Sequence, residues 1–436
     1  MAKRVLVITY YWPPSGGAGV QRWLKFTKYL PESGWLPVVY TPENPEAPVE
    51  DPSLLEDIRP ETTVVKRAIW EPYELYKRFV GMRSGDRINA GFLSENEKPE
   101  KKEGISVWIR GNLFIPDARR FWINPSVRFL RKYLRQNPVD AIISTGPPHS
   151  MHLIARRLKR ILNIPWIADF RDPWTEIDFY DQLRLTRRSD TKHKNQERAV
   201  LQEADRVVVI GKTMAERFRK MHHITPVVVP NGYDDADFQL EQPASDGTFS
   251  IVHVGAMNRD RNHPIFWEAV AELLKEQPGL SSSLVIRLVG KIDLSVHKSI
   301  ADNGLAGHVE ITKYLPHDQI IPLLKSASLL YLPINHTPNA KSIQTGKLFE
   351  YLAAGRPILG TGPVDGDAAE ILRECKAGEM IGFADKEGVK GVLTRWAQMN
   401  KNGNLQVNST GTDRFSRRNL AAAYAGYLEE VTHLKS

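Results

Sequence analysis

The chain has 436 residues, 42% hydrophobic and 25% charged, which excludes disordered and fibrous classes and, at roughly 150 residues per domain, suggests two or three domains. Its formal net charge of +8 admits nucleic acid, anionic membrane or phosphorylated ligands without choosing among them. The single cysteine, Cys375, excludes an intramolecular disulfide and suits a reducing compartment, the cytoplasm.

Lys3 to Tyr10 reads as a buried strand; its apolar run stops at Thr9 and Trp12-Pro13-Pro14, too short for a signal segment or a membrane span, so the N-terminus is expected to begin the fold. The glycine-rich Ser15-Gly16-Gly17-Ala18-Gly19 follows, and Val20 to Leu30 has helical spacing. In an open parallel sheet ligands sit beyond the carboxyl ends of strands, where glycine lets the backbone approach, so Gly16 and Gly17 are candidate ligand-binding positions. The spacing is not that of the dinucleotide fingerprint, and a purely structural turn is the alternative.

Further strands are expected at Leu36–Tyr40, Thr63–Arg67, Ala141–Ser144, Trp166–Phe170, Arg206–Ile210 and Val227–Val229, with helices such as Ser150–Ile161 and His193–Glu203 between them. This alternation predicts a parallel sheet wrapped by helices. Residues 81–120 break the rhythm with Gly, Ser, Glu and Lys clusters and read as an insertion or long mobile loop. Two strand-end loops carry chemistry: Ser144-Thr145-Gly146-Pro147-Pro148-His149-Ser150, and Asp169-Phe170-Arg171-Asp172-Pro173-Trp174. Asp172 is of a type to orient or deprotonate a hydroxyl and Arg171 to contact phosphate, and capping of the loop fits equally well. Ile210-Gly211-Lys212-Thr213 looks like the end of a phosphate loop, but Arg206 stands where its first glycine is needed, so that reading fails.

Asn231-Gly232 signals a turn, and the acidic Asp234-Asp235-Ala236-Asp237 after it reads as a solvated loop rather than a metal site; a first domain over 1–231 and a second over 232–413 are expected. The second half restarts with strand Phe249–Val254, helix Pro264–Glu276 and strand Leu284–Val289. It continues through Val309–Thr312, His317–Lys325, Ser328–Leu332, Gly346–Ala354 and Pro357–Gly360. The segment Thr345-Gly346-Lys347-Leu348-Phe349-Glu350-Tyr351-Leu352-Ala353-Ala354-Gly355-Arg356-Pro357 is the most informative: one glycine opens a helix, another closes it, and proline starts a buried strand. Lys347 and Glu350 share a face of that helix, and the spacing by itself describes an exposed ion pair.

This segment resembles the donor-site signature of the retaining, family-four (group 1) glycosyltransferases, with the sharpest match at 342–360 and similarity over most of the chain. The resemblance implies a GT-B fold: two Rossmann-like α/β domains with parallel sheets facing an interdomain cleft, the acceptor side in the first and the nucleotide-sugar donor in the second. It implies that Glu350 accepts hydrogen bonds from the ribose hydroxyls and that Thr345 and Gly346, at the helix N-terminus, face the diphosphate. Of the family's two glutamates separated by seven residues, the first falls on Ser342 here. His253-Val254-Gly255-Ala256-Met257-Asn258-Arg259-Asp260-Arg261 resembles the family's phosphate loop, with Arg261 on the usual Lys, Ala256 on the usual Arg, and Arg259 as a substitute cation. His149 falls where similar enzymes place a histidine near the transferred sugar; otherwise it reads as a polar loop residue.

The function so implied is transfer of a sugar from a nucleotide donor to a saccharide or lipid-linked acceptor hydroxyl with retention, in cell-surface polysaccharide or glycolipid synthesis. His149, Arg261, Lys347 and Asp172 would be the catalytic set, with no metal and no cofactor. Arg119-Arg120-Phe121-Trp122 and Arg128-Phe129-Leu130-Arg131-Lys132-Tyr133 suggest peripheral contact with the inner face of an anionic membrane. The apolar spacing of Arg414–Leu434 makes a last helix, which in similar proteins returns to the first domain. The alternatives are a sugar-nucleotide 2-epimerase of similar architecture and a nucleic-acid-binding protein; no nucleic-acid module is recognisable, and 51 acidic residues are interspersed among the basic ones.

Overall fold

Val5, Leu6, Val7 and Ile8 form an unbroken apolar run, and in the computed structural model both faces of this strand are covered. Leu6 and Ile8 pack with Trp122, Ile154 and Phe170, whereas Val5 and Val7 pack with Val20, Trp23 and Leu428. A strand buried on both sides needs parallel neighbours with helices above and below it. The structure describes residues 2–46, 50–71, 107–109, 111–177, 180–239, 247–313, 315 and 317–434. They divide into two units, one of residues 1–230 with 417–436 and one of residues 231–416.

In the first unit the elements are β1 (Lys3–Ile8), α1 (Ala18–Tyr29), β2 (Trp35–Pro42), β3 (Thr63–Arg67), α2 (Arg120–Gln136), β4 (Ala141–Gly146), α3 (Ser150–Leu162), β5 (Trp166–Phe170), α4 (Arg187–Glu203), β6 (Arg206–Val209), α5 (Lys212–His222) and β7 (Val227–Val228). The seven strands are all parallel, in the order β3-β2-β1-β4-β5-β6-β7. The order reverses between β1 and β4, so the loops leaving these two strands diverge to opposite faces and leave a crevice at their carboxyl ends.

The second unit repeats the plan with β8 (Phe249–Val254), α6 (Pro264–Glu276), β9 (Leu284–Val289), α7 (Leu294–Asp302), β10 (Val309–Thr312), α8 (His317–Ser326), β11 (Leu329–Pro333), α9 (Gly346–Ala354), β12 (Ile358–Thr361), α10 (Asp367–Glu374), β13 (Gly378–Ile381) and α11 (Lys386–Lys401). Its six parallel strands run β10-β9-β8-β11-β12-β13, with the reversal between β8 and β11. Leu329 and Tyr331 face one helical layer and Leu330 and Leu332 the other. The chain ends with α12 (Arg417–His433), which belongs to the first unit: Tyr424 packs edge-on against Trp23 at 5.2 Å, and Leu420 and Leu428 complete that face of the core. Among the described residues no helix is long and apolar enough to cross a membrane.

Most expected strands recur within two residues, and the departures have local causes. The helical stretch expected from Arg414 begins at Arg417, because Asp413–Phe415 form a separate turn whose Phe415 packs on Phe349 at 5.3 Å in the second unit. Helix α4 starts six residues before His193, its polar first turns capped by Thr186 accepting from the Ser189 amide. Of the insertion expected over 81–120, residues 81–106 and 110 lie outside the described residues. The remainder is packed rather than a free loop: Ile115 and Ala118 are buried, and Asp117 accepts from the Ser150 amide and hydroxyl, capping α3. Asp234, expected in a solvated loop, is buried and accepts from the Ala236 amide to open the turn Asp235–Phe238.

Candidate functional site

In the second unit the site is built at the carboxyl end of β8. Gly255 follows this strand with φ +119, and a Cβ there would lie 1.7 Å from Cε of Lys347. Only glycine satisfies both the backbone and the close approach of the lysine stem. Behind it, Gly290 (φ +133) would place a Cβ 2.6 Å from the Gly255 carbonyl, so a second glycine lets the two loops stack.

Lys347 arrives there because α9 is anchored end to end. Thr345 occupies the N-cap, Gly346 is the first helical residue, and Gly355 closes the helix in the left-handed conformation (φ 66). Leu348, Phe349, Tyr351 and Leu352 bury one face in the core, and the Tyr351 hydroxyl accepts from the Val254 amide at 2.9 Å, pinning the helix to the end of β8. One turn earlier, Lys347 therefore overhangs Gly255. Lys347 and Glu350 form no ion pair with each other, nor with any other described residue, so the surface pair suggested by their spacing does not exist. Burial, followed by the nearby Arg261 charge, lowers the Lys347 amine to about 8, with Glu350 opposing the shift. His253, buried beneath with Nδ1 on the Tyr331 carbonyl at 3.0 Å, is pushed down to about 3 by burial and by Lys347 and stays neutral.

Arg261 joins this cluster from the loop after β8. Its Nε donates to Asn335 Oδ1 at 2.6 Å and its Nη1 to the Ala256 carbonyl at 2.8 Å, while Nη2 has no partner among the described residues. Ala256 carries no charge, and the Lys347 stem passes its neighbour Gly255, so a cation from the helix stands beside the position of the absent arginine. Thr345 Oγ1 is buried at the helix N-terminus without a partner, beside Gln344, whose Nε2 donates to Asp367. Glu350 is half-exposed one turn into the helix.

Two further expected residues make local contacts. Arg259 is exposed, in the turn Arg259–Arg261, and its charge acts on Asp293. The Ser342 hydroxyl donates to the Asn339 carbonyl at 2.8 Å and closes the turn Ala340–Ser342. Sequence reasoning missed Asn335 and Tyr351, whose parts depend on contacts distant in sequence.

In the first unit the loops after β1, β4 and β5 are tied together by Arg171. It donates to the Gly19 carbonyl at 2.7 Å and to the Pro147 carbonyl, so its guanidinium straps two loops instead of standing free for phosphate. Gly19 lies against the Tyr11 ring, where a Cβ would come within 3.1 Å. Gly17 takes φ 86 at the N-cap of α1 and is exposed, whereas Gly16 is buried. His149 is not a plain loop residue: it is buried and stacks flat on Trp174, at 4.7 Å and 1°. Its Nδ1 is buried without a partner, and burial and the neighbouring His152 hold the ring neutral. His152 is held by Ser144 Oγ at 2.8 Å, and Gly146 leaves the room both rings need: a Cβ would lie 2.6 Å from one and 3.0 Å from the other. Asp172 is exposed beside Arg171. The carboxylate buried here is Asp169, paired with Arg22 at 2.8 Å and accepting from Trp23 and Thr145.

The chemistry available is thus an unpaired lysine and a partly satisfied arginine beside a helix N-terminus in the second unit, and a neutral, stacked histidine in the first. Positive groups fixed in a poorly hydrated site suit a polyanionic leaving group.

Two family models match the chain: Glycosyltransferase Family 4 over residues 88–237, and Glycosyl transferases group 1 over residues 248–398. No curated protein matches it by sequence. Solved structures similar over their full lengths include sucrose-phosphate synthase from Thermosynechococcus elongatus, at 14% identity, 100% of both chains and a TM-score of 0.58. WaaG, a glycosyltransferase involved in lipopolysaccharide biosynthesis, matches at 14% identity over 99% of both chains with a TM-score of 0.54. HepE of Anabaena, solved in complex with UDP-glucose, matches at 11% identity over 99% of this chain and 98% of its own, with a TM-score of 0.55. At such identities the structures speak for the fold, and the family models speak for the kind of enzyme. With one model on each unit and the same strand order in both sheets, the chain belongs to the GT-B glycosyltransferases of the family-four, group 1 type.

Proposed function

We propose that this glycosyltransferase moves a sugar from a nucleoside-diphosphate sugar to the hydroxyl of a saccharide or lipid-linked acceptor, with retention, in cytoplasmic synthesis of a cell-surface polysaccharide or glycolipid. The observation that carries the donor class is the unpaired Lys347 amine threaded over Gly255 beside Arg261 and the N-terminus of α9. Lys347 and Arg261 neutralise the departing diphosphate, assisted by the Thr345 hydroxyl and the Gly346 amide. Glu350 accepts from the ribose hydroxyls. His149 supports the transferred sugar, and Asp172 orients the acceptor hydroxyl. Gly16 and Gly17 leave room for the ligand at the end of β1. Arg259 and Ser342 contribute at the rim. The cations do the work a metal does elsewhere, so turnover persists in EDTA. The UDP-glucose complex of HepE supports a donor of this kind.

The test is turnover across a panel of nucleotide sugars, with the anomeric configuration of the product read by NMR. Glu350→Ala is expected to lose about 1.5–3 kcal/mol of donor binding, roughly a ten- to hundredfold rise in KM, because a carboxylate bonded to hydroxyls is removed. Arg261→Ala is expected to lower kcat by about 10²-fold. Wild-type rates in both variants would overturn the site. Conversion of the donor without acceptor would favour the epimerase reading.

A further inference from the structure

The two basic, aromatic stretches singled out in the sequence are reshaped by the fold. Trp122 is buried and stacked on Tyr40 at 4.9 Å, and Arg119 is paired with Glu71 at 2.9 Å, so neither faces a partner. In their place the fold assembles a knob from three separate segments. Trp70, just after β3, is 57% exposed; Leu113 is 52% exposed; Phe121, in the first turn of α2, is 41% exposed. Trp70 meets Phe121 edge-to-face at 4.8 Å, Phe114 meets it at 6.1 Å, and Arg120 binds the Leu113 carbonyl and lies 5.5 Å from the Phe121 ring.

From this knob a cationic stripe runs along the helix. Phe121, Pro125, Arg128, Lys132 and Arg135 follow one another at steps of four and three, one face of α2, and all are exposed. The helix carries five cations, Arg120, Arg128, Arg131, Lys132 and Arg135, and no Asp or Glu. Against it, Arg67 from β3 lies 5.0 Å over the Phe129 ring, and Arg67, Arg128, Lys132, Tyr133 and Gln136 line a groove of about 440 Å³. The opposite stripe, Trp122, Ser126, Leu130 and Leu134, is the buried one.

We propose that this face of the first unit docks on the surface of an anionic lipid bilayer, with Trp70, Leu113 and Phe121 entering the interface and the groove receiving phosphate headgroups. Charge complementarity carries the choice, since a row of cations without an acid beside an apolar knob matches an anionic interface. A single-stranded nucleic acid needs open ring faces to stack on, whereas Trp70, Phe114 and Phe121 are locked against one another, and Leu113 has no part in stacking.

The experiment is co-sedimentation of the full chain with phosphatidylcholine vesicles made with and without phosphatidylglycerol. Binding is expected only to the anionic vesicles and is expected to fall with added NaCl. Arg128→Ala with Lys132→Ala should weaken it roughly twenty- to thirtyfold, at about fivefold per cation. Leu113→Ser with Phe121→Ser should weaken it without changing its salt dependence, and circular dichroism melts confirm that both variants fold. Equal binding to neutral vesicles, no binding at low salt, unchanged binding by both folded variants, self-association in place of vesicle binding, or capture of single-stranded RNA with no vesicle binding would each overturn the proposal.

Discussion

Lys347→Ala is expected to lower kcat by roughly 10²–10³-fold, the usual cost of removing one group that stabilises charge at a leaving group. On the proposed role, in which the amine opposes charge developing on the diphosphate, the loss is expected to fall on kcat more than on KM. The fold should survive, because Lys347 makes no ion pair and α9 is held by Leu348, Phe349, Tyr351 and Leu352. Gly255→Ala should reproduce the defect by a different route, as its methyl would lie 1.7 Å from the Lys347 Cε and must displace the side chain. The pH profile gives an independent check. Burial and Arg261 bring the amine from 10.5 to about 8, so the cation is present below that value and lost above it. Activity is therefore expected to fall as pH rises through about 8, and Lys347→Arg, which keeps its charge, should move that limb upward. The stability sign is the reverse: the folded chain holds fewer protons than the unfolded one between about 8 and 10.5, so this group favours the fold more as pH rises through that window. A nucleoside diphosphate should restore the proton, seen as buffer-dependent binding heat near pH 8. A profile flat across pH 8, or a Lys347→Ala enzyme as fast as the wild type, would remove Lys347 from the reaction.

Asp169→Ala is expected to destabilise the first unit by about 3–5 kcal/mol, because it strands the buried Arg22 guanidinium. Both partners are almost wholly buried, and Arg22 also donates to the carbonyls of Val229 and Pro230, where the first pass of the chain through this unit ends. Burial alone would raise the Asp169 carboxyl. The Arg22 charge and the hydrogen bonds from Arg22, Trp23 and Thr145 outweigh it and hold the group below its ordinary 3.8. Its contribution is thus complete above 3.8 and disappears as the pH falls through the lower, folded value. Urea unfolding at neutral pH should show the midpoint of Asp169→Ala far below that of the wild type. The double variant with Arg22→Ala should recover part of the loss, since no charge is then left buried alone. An unchanged midpoint would show that the pair is not an anchor.

The parts of the fold written in local pattern were legible. Runs such as Val5–Ile8 and Leu284–Val289 are apolar without alternation, the mark of strands covered on both faces, and the glycine, helix, glycine, proline order from Gly346 to Pro357 bounds α9 by capping chemistry alone. Helix α2 was not legible as a helix, because Pro125 and five cations blur its period, and β13 is too short to stand out from its surroundings. Of the candidate site, Glu350, Gly346 and Arg261 were named from motif and resemblance, whereas the contacts that Arg259 makes with Asp293 and Ser342 with Asn339 could be read only from the structure.

By itself, then, the sequence determined the alternation of strand and helix and the helix that carries Lys347 and Glu350, since these follow from periodicity and caps within one short stretch. The tertiary structure alone decided that Lys347 stands unpaired over Gly255, that Arg171 straps loops, that His149 lies on Trp174, and that Trp70 and Leu113 take the exposed place assigned to Trp122. Each of these turns on which distant backbone comes to rest beside a side chain, and that is set by the strand order around β1 and β8. Burial and charge pairing depend on that proximity, which no local spacing encodes.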